Sequence, residues 1–125
     1  MKRILSTDSA PAAVGPYSQA VRAGDILFIS GQIGIDPATG VMAEGLEAQV
    51  KQVLENLKAI VEEAGGSMDS ICKATVLLQS MDDFKAMNGI YAGYFESDPP
   101  ARAAFEVNAL PLGALVEIEA IALLD

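Results

Sequence analysis

At 125 residues, with 51% hydrophobic and 20% charged residues, the chain is long enough to form a core and too apolar to be intrinsically disordered. Its formal net charge is −9, and its eight lysines and arginines are scattered along the sequence. A nucleic-acid-binding surface needs clustered positive charge or a platform of aromatic side chains, and aromatics make up only 6% here. The composition therefore argues against nucleic-acid binding.

Histidine is absent, and cysteine occurs once, as Cys72. These counts exclude a Ser-His or Cys-His nucleophile, the usual zinc ligand sets and an internal disulfide. Any acid or base must be a carboxylate, a tyrosine, a lysine or a bound water. A lone cysteine is typical of a reducing compartment, and the sequence contains neither a signal-like start nor an apolar run of about 20 residues. We therefore expect a cytoplasmic protein without a membrane partner or a metal.

The first third of the chain predicts three strands. Residues 4–5 can begin an edge strand, and a turn-rich loop follows at residues 11–16. Residues 18–22 and 26–30 are strand-like and are separated by a turn with Gly24 at its centre. These two segments predict a β-hairpin.

Two glycines, Gly31 and Gly34, follow the hairpin closely. One explanation is a bulge or a tight bend where the sheet twists. The other is a stretch of backbone open to a ligand, because no side chain covers it. Position alone favours the bulge or bend. A turn is predicted next, at residues 36–40.

Residues 46–64 form the clearest helical pattern in the chain. Apolar residues recur at the helical period on one face: Leu46, Val50, Val53, Leu54, Leu57, Ile60, Val61 and Ala64. Charged and amide side chains occupy the opposite face, which indicates a solvent-exposed surface. Gly65 and Gly66 then predict a left-handed cap at the end of the helix.

A central strand is predicted at residues 71–79, with Cys72 at its start. A small buried hydrophobic role for Cys72 is favoured over a nucleophilic one, since no base or cation is indicated nearby. Ser80 then begins a segment that resembles a helix capping box, with aspartate in place of the usual glutamate.

A second helix is predicted from this cap to about Ser97. Its inward stripe has the spacing of a core face: Phe84, Met87, Tyr91, Tyr94 and Phe95. Asn88 lies beside that stripe, where it could cap a helix edge or line a cleft.

Arg102 is the anomaly of the next segment, residues 99–111, which flanking prolines mark as one strand. Most of its neighbours are small or apolar. A guanidinium stays charged at any working pH and needs an internal carboxylate or an anionic ligand as its partner. Alternation puts Ala104 and Glu106 on the same strand face as Arg102, and the small Ala104 leaves room for a ligand.

Glu117 and Glu119 belong to the last apolar run, residues 115–124, where alternation puts both carboxylates on one face. Such a pair is usually exposed to solvent or paired across a sheet. Because only a short turn separates this run from residues 99–111, we expect the two strands to be neighbours. Arg102 and Glu117 would then lie near one pocket.

The element order β-β-β-α-β-α-β-β, within a single domain of residues 1–125, predicts an α+β sandwich with a mixed sheet and both helices on one face. Several strands are apolar on both faces, and two helices can cover only one. We therefore expect the chain to oligomerise through the uncovered face of the sheet.

Four motifs together resemble the RidA (YjgF) family of reactive-intermediate deaminases, over essentially the whole chain. They are Gly-Pro-Tyr-Ser-Gln-Ala at 15–20, Ile-Ser-Gly-Gln-Ile at 29–33, Pro-Ala-Arg at 100–102 and Val-Glu-Ile-Glu-Ala at 116–120. The resemblance implies a chorismate-mutase-like fold and a homotrimer with a central barrel and active sites between subunits. The implied activity is that of a 2-iminobutanoate/2-iminopropanoate deaminase. This hydrolase converts 2-imino acids or enamines such as 2-aminoacrylate and 2-aminocrotonate to 2-keto acids and ammonia, without a cofactor.

The resemblance also implies three principal site residues. Arg102 matches the family arginine that binds the substrate carboxylate, and Glu117 matches the glutamate that holds the attacking water. Tyr17 matches a tyrosine that lines the cleft. The chemistry suits these residue types, since arginine binds carboxylates through two hydrogen bonds and an electrophilic imine needs only an oriented water.

Further cleft positions are matched by Ser30, Gly31 and Asn88. Ala104 stands where many members of the family have cysteine. This departure removes a thiol but leaves a backbone N–H that can meet the substrate carboxylate. We expect hydrolysis to survive, because it does not require a nucleophilic thiol.

Two other functions compete with the deaminase. A non-catalytic trimer that binds small carboxylates, or that regulates a protein partner, would need Arg102 but not Glu117. A ribonuclease or translation inhibitor is a function that has been attached to relatives. The sequence argues against this function, because the net charge is negative, the lysines and arginines are scattered and histidine is absent.

Overall fold

The computed structural model describes all 125 residues, which form one six-stranded mixed sheet and two α-helices. The strands are β1 (Lys2–Leu5), β2 (Ala20–Ala23), β3 (Ile26–Gln32), β4 (Ile71–Leu78), β5 (Ala101–Glu106) and β6 (Val116–Leu123), and the helices are α1 (Leu46–Glu63) and α2 (Phe84–Tyr94). The predicted α+β class and element order are confirmed. Neither helix combines the length and the apolar character needed to cross a membrane.

The strand order across the sheet is β1-β2-β3-β6-β4-β5. Every neighbouring pair is antiparallel except β4 and β5, which are parallel and are joined through α2. Such a crossover is the usual way to connect parallel strands. The predicted hairpin is confirmed, since Ala23 pairs with Ile26 and Gly24 between them adopts a φ of 62°.

The expected pairing of β5 with β6 is wrong, because β4 lies between them. The connection at residues 107–115 crosses the end of β4 instead of forming a hairpin. Its two ends are fixed there by hydrogen bonds from the Val107 N–H to the Leu78 carbonyl (2.9 Å) and from the Gln79 N–H to the Leu115 carbonyl (3.0 Å). The chain therefore leaves β5 on one side of β4 and enters β6 on the other.

Helix α1 forms where the apolar period predicts it and buries that face against β3, β6 and α2. Its end is a Schellman motif, as the two glycines predict. Gly65 has a φ of 91° and donates its N–H to Glu62, and the N–H of Gly66 returns to Val61 at 2.9 Å. A positive φ is strained for residues with a side chain, so the motif explains the glycine at position 65.

Helix α2 is shorter than its sequence pattern suggests. The Ser80 side chain accepts a hydrogen bond from the Asp82 N–H at 3.1 Å, and a 3-10 turn at Met81–Asp83 precedes the α-helix. The helix ends at Tyr94 rather than near Ser97 because Phe95 leaves helical geometry, with φ −132° and ψ 67°.

The two faces of the sheet differ in their cover. Side chains such as Leu27, Val76 and Ile118 face the helices and are fully buried in the core. The opposite face carries Phe28 and Leu123, which are 45% and 54% exposed. A single chain thus leaves large apolar side chains in water, as is typical of a surface that packs against another protein.

Several strand boundaries differ from the predictions. The second strand begins at Ala20 rather than at residue 18, and β3 continues to Gln32. Only Ala101–Glu106 is extended within residues 99–111, and Pro111–Gly113 forms a 3-10 turn.

Cys72 is exposed, so the prediction that it is buried is wrong. The pairing of β4 with β6 shifts register between Ile71 and Lys73. Ile71 and Ala74 are both buried against the core, so the extra residue breaks the alternation and leaves Cys72 and Lys73 exposed. The Cys72 thiol lies 3.4 Å from the Ile121 carbonyl oxygen.

Candidate active site

A groove of about 980 Å³ opens beside the uncovered part of the sheet, and we call it the Glu117 groove. It brings together four of the predicted site residues, from β3, β6 and the loop before β2. The residues that define it include Pro11, Tyr17, Ser30, Gly31, Ile33, Leu112 and Glu117. A smaller cavity of about 170 Å³, lined in part by Lys73, Thr75 and Glu119, lies further along the sheet and contains none of the predicted site residues.

Glu117 is half-buried in the groove and pairs across the sheet with Leu77. No lysine or arginine forms an ion pair with it, since the chain's one ion pair joins Arg22 and Asp25. Burial raises the pKa of the Glu117 carboxyl, and the negative charge of Glu119 raises it further. The groove therefore holds a carboxylate that is able to take up a proton.

Gly31 lies at a bulge, because the register of β3 with β6 shifts between Ile29 and Gln32. This agrees with the bulge or bend that its position in the sequence favours. A Cβ atom on Gly31 would lie only 2.5 Å from Oε2 of Glu117. The missing side chain thus lets this carboxylate pack against the β3 backbone. Gly34 instead packs against α1, where an added Cβ would lie 2.8 Å from Cα of Gln49.

Tyr17 and Ser30 line the groove from the loop before β2 and from β3. Half of the Tyr17 side chain is exposed. Ser30 donates its hydroxyl to the Ser18 carbonyl at 2.5 Å and its N–H to the Gln19 carbonyl at 3.0 Å. These bonds hold the Tyr17 loop against β3.

Gln19 is buried and fixes one wall of the groove, a role that was not predicted from the sequence. Its Nε2 lies within hydrogen-bonding distance of the carbonyls of Thr7 (3.1 Å), Ala10 (3.3 Å) and Pro11 (2.7 Å), and its Oε1 accepts from the Thr7 N–H at 2.7 Å. A glutamine at a strand start is normally exposed, so only its place in the motif at residues 15–20 signals a role.

Asn56 fixes another part of the wall, and this role too was not predicted from the sequence. It is fully buried on α1 and donates Nδ2 to the carbonyls of Ile33 (3.2 Å) and Ile35 (3.0 Å). Its Oδ1 accepts from Gln52 at 2.9 Å. A polar residue within the apolar face of α1 was the available signal, since buried amides need partners.

Arg102 lies away from this groove, against α2. Its Nη1 donates to Oδ1 of Asn88 at 2.7 Å, and its Cζ atom lies 4.9 Å from the Tyr91 ring centroid and 5.4 Å from that of Phe84. No carboxylate pairs with it, and the side chain is exposed in the single chain. The guanidinium therefore keeps its charge and most of its five N–H donors free.

Arg102 and Glu117 do not share a pocket within one chain, so that prediction is wrong. Arg102 pairs in register with Ala74, which faces the helices, whereas Glu117 pairs with Leu77, which faces the other way. Opposite faces and an intervening strand keep the two side chains apart.

Two other predicted site residues lie on the Arg102 side. Asn88 is the hydrogen-bond partner of the guanidinium, and Ala104 is half-buried and packs against the core. Glu106 is on the same face, as alternation predicts, because its Oε1 accepts from the Met81 N–H that precedes α2. No group of three or more cysteine, aspartate or glutamate side chains is arranged to hold a metal ion.

Known proteins share both the sequence and the fold. The family model described as endoribonuclease L-PSP, which includes the RidA (YjgF) proteins, matches residues 7–124. The chain belongs to the RidA family. It is 54% identical to a RutC family protein of Pyrococcus horikoshii over 98% of both chains. It is 51% identical to the 2-iminobutanoate/2-iminopropanoate deaminase of Capra hircus, over 98% of this chain and 90% of the relative.

Solved structures of RidA proteins have the same fold. The RidA crystal structure from an Antarctic Psychrobacter is 48% identical and superposes with a TM-score of 0.96, covering 98% of this chain and 99% of the other. The Escherichia coli YjgF structure is 42% identical, with a TM-score of 0.94 over 97% and 98% of the two chains. The resemblance stated from four motifs is thereby confirmed as family membership.

Proposed function

We propose that this RidA protein is a 2-iminobutanoate/2-iminopropanoate deaminase, a hydrolase that converts 2-imino acids or their enamine tautomers to 2-keto acids and ammonia. The observation that carries the proposal is that Arg102 presents a guanidinium held by neutral groups of α2, while Glu117 presents a half-buried carboxyl in the groove with no cation paired to it. Relatives at about half sequence identity bear the deaminase name, the Capra hircus protein among them. Unpaired charges of opposite sign suit a substrate with an anionic end and a basic nitrogen.

The proposed active site lies between subunits of a homotrimer. One protomer contributes Arg102 with Asn88 and Ala104, and its neighbour contributes the Glu117 groove. The opposite orientation of Arg102 and Glu117 supports this arrangement, since a single chain cannot bring them to one ligand. The apolar side chains on the uncovered sheet face support assembly through that face.

In the proposed mechanism, Arg102 binds the substrate carboxylate through two N–H donors and fixes the imine carbon next to the groove. Glu117 accepts a proton from a water as the water oxygen bonds to C2 of the protonated imine and the C=N π electrons move to nitrogen, which gives a neutral carbinolamine. Glu117 then returns that proton to the nitrogen, and the C–N bond breaks to release ammonia. The remaining hydroxyl loses its proton and becomes the keto oxygen, so one water is consumed for each ammonia.

Glu117 is suited to both proton transfers because burial and Glu119 raise its pKa. A carboxyl with a raised pKa is a stronger base when ionised and returns its proton less readily to bulk water. The carboxylate-binding arginine supplies no proton, since guanidinium stays charged. The proton transfers of the proposed mechanism therefore depend on Glu117 and on water.

The test is the release of 2-keto acid from imines made in situ by a threonine dehydratase acting on serine or threonine. Wild type accelerates release, and Arg102→Ala and Glu117→Gln each abolish most of the acceleration while the oligomer persists. If Glu117→Gln binds 2-ketobutyrate normally and keeps the full acceleration, the protein is a carboxylate-binding module and not a hydrolase. If wild type accelerates release from none of several imines, the deaminase proposal fails.

A further inference from the structure

One face of α2 forms a support for a cation. Phe84, Asn88 and Tyr91 are spaced four and three residues apart, so all three side chains project from the same side of the helix. The sequence pattern predicted only a core stripe there. In the structure the two rings and the amide all contact the guanidinium of Arg102.

We propose that Phe84 and Tyr91 are positioning residues that hold the Arg102 guanidinium in the orientation that receives a ligand carboxylate. This inference rests on the proposed function and names the part of the chain that sets carboxylate affinity. Tyr91 lies 4.9 Å and Phe84 lies 5.4 Å from the guanidinium carbon, both within the range of a cation–π contact.

The chemistry of the support leaves the cation available. A carboxylate partner would neutralise the guanidinium and compete with the ligand, whereas aromatic rings attract it without accepting its hydrogen bonds. Asn88 is a neutral acceptor that uses one of the five N–H donors. The side chain is therefore oriented while its charge and most of its donors stay free.

The Tyr91 hydroxyl allows the role of the aromatic ring to be tested separately from that of a hydrogen bond. Tyr91 is 5% exposed, and its hydroxyl oxygen is buried without any hydrogen-bond partner. The ring also lies near Phe95, at 4.6 Å between centroids. Because the hydroxyl makes no bond, Tyr91→Phe should keep the support intact, and Tyr91→Leu should remove half of it.

The experiment measures KM and kcat for imine hydrolysis and the Kd for 2-ketobutyrate in the assembled protein. We expect Phe84→Leu and Tyr91→Leu each to raise KM and Kd on the order of tenfold, the size of a partly desolvated cation–π contact. The kcat should stay within about twofold, since saturating substrate restores the bound pose. Tyr91→Phe should keep KM near the wild-type value.

Phe95→Leu is the matched control, because it removes a comparable buried ring next to Tyr91 without a contact to Arg102. It should lower thermal stability and leave KM unchanged. Phe84 is only half-buried at the start of α2, so Phe84→Leu tests the support even if Tyr91→Leu does not fold.

The inference is overturned if Phe84→Leu leaves both KM and Kd unchanged, or if Tyr91→Phe raises them as much as Tyr91→Leu. A rise in KM with Phe95→Leu equal to that with Tyr91→Leu also overturns it, since general packing would then explain the effect. If the wild type is active and the variants are unaffected, only this inference fails. An inactive wild type that does not bind 2-ketobutyrate sinks the proposed function as well.

Discussion

Arg102 and Glu117 point to opposite faces of one sheet, and strand β4 separates the strands that carry them. A rotamer change moves a side-chain tip by a few ångströms and cannot carry it through a packed sheet. A ligand that touches both residues must therefore be bound by two copies of the chain.

Mixing two inactive variants tests the shared site. Arg102→Ala and Glu117→Ala, unfolded together and refolded, should recover about one quarter of wild-type activity. In a random mixture each of the two protomers at a site has an even chance of supplying the intact residue. The same assay of keto-acid release measures the recovery.

The matched control is the double variant Arg102→Ala/Glu117→Ala, refolded with either single variant. No intact pair is then possible, so no activity should return. Recovery in this control, or none in the original mixture, would contradict a site built from Arg102 and Glu117 of different subunits.

Gly31→Ala should displace the Glu117 carboxylate, because the new methyl group would lie 2.5 Å from Oε2. We expect kcat to fall on the order of 100-fold, the loss typical of an ångström-scale misplacement of a catalytic group. Gly93→Ala is the control, since an added Cβ there meets nothing within 4 Å and alanine favours a helix. Circular dichroism should show both variants folded, and equal kcat in the two would refute the contact.

The raised pKa of Glu117 makes stability depend on pH in a defined direction. Below the ordinary pKa of glutamate the carboxyl is protonated in both states and carries no penalty. As pH rises through the raised pKa the buried group ionises, and the folded state loses stability. Glu117→Gln should therefore melt at a higher temperature than wild type near neutral pH, with no difference at about pH 3.

Glu119→Gln tests the electrostatic part of that shift. Removing the neighbouring charge should lower the pKa of Glu117 and move the acidic limb of the kcat/KM profile to lower pH, because burial remains but repulsion is lost. An acidic limb at the wild-type position would show that Glu119 does not act on Glu117.

Gln19→Ala should destabilise the fold by about 2–4 kcal/mol, since it leaves the buried Ala10 carbonyl and partly buried backbone groups of Thr7 and Pro11 without partners. Urea unfolding measures the loss. Gln79→Ala is the control: its side chain donates once, to the Asn108 carbonyl at an exposed site, and should cost less than about 1 kcal/mol. Similar losses in the two variants would mean that the Gln19 bonds do not fix the loop.

Local rules predicted most of the elements. The apolar period and the glycine pair determined α1 and its end, because both act within a few turns of helix. Strand alternation put Glu117 and Glu119 on one face, as the structure confirms. Motifs then identified Tyr17, Ser30 and Gly31, which do lie together in the Glu117 groove.

Long-range pairing could not be read from the same patterns. The short separation along the chain predicted that β5 pairs with β6. In the structure β4 lies between them: it pairs on one edge with β5, to which α2 connects it, and on the other edge with β6. The buried amides Gln19 and Asn56 were missed because their partners are backbone carbonyls that no sequence pattern reveals. Cys72 was misplaced because a single bulge reverses alternation at the start of β4.

Strand β5 ends the sheet and pairs with β4 alone. A boundary strand can detach at a lower free energy than the interior strands, since only one ladder must open. The amides of β5 should consequently exchange with deuterated solvent before those of β6, and a bound 2-keto acid should slow them. Arg102, the proposed anion-binding residue, would thus lie on an edge strand that opens more readily than the interior strands, and a bound anion would slow that opening.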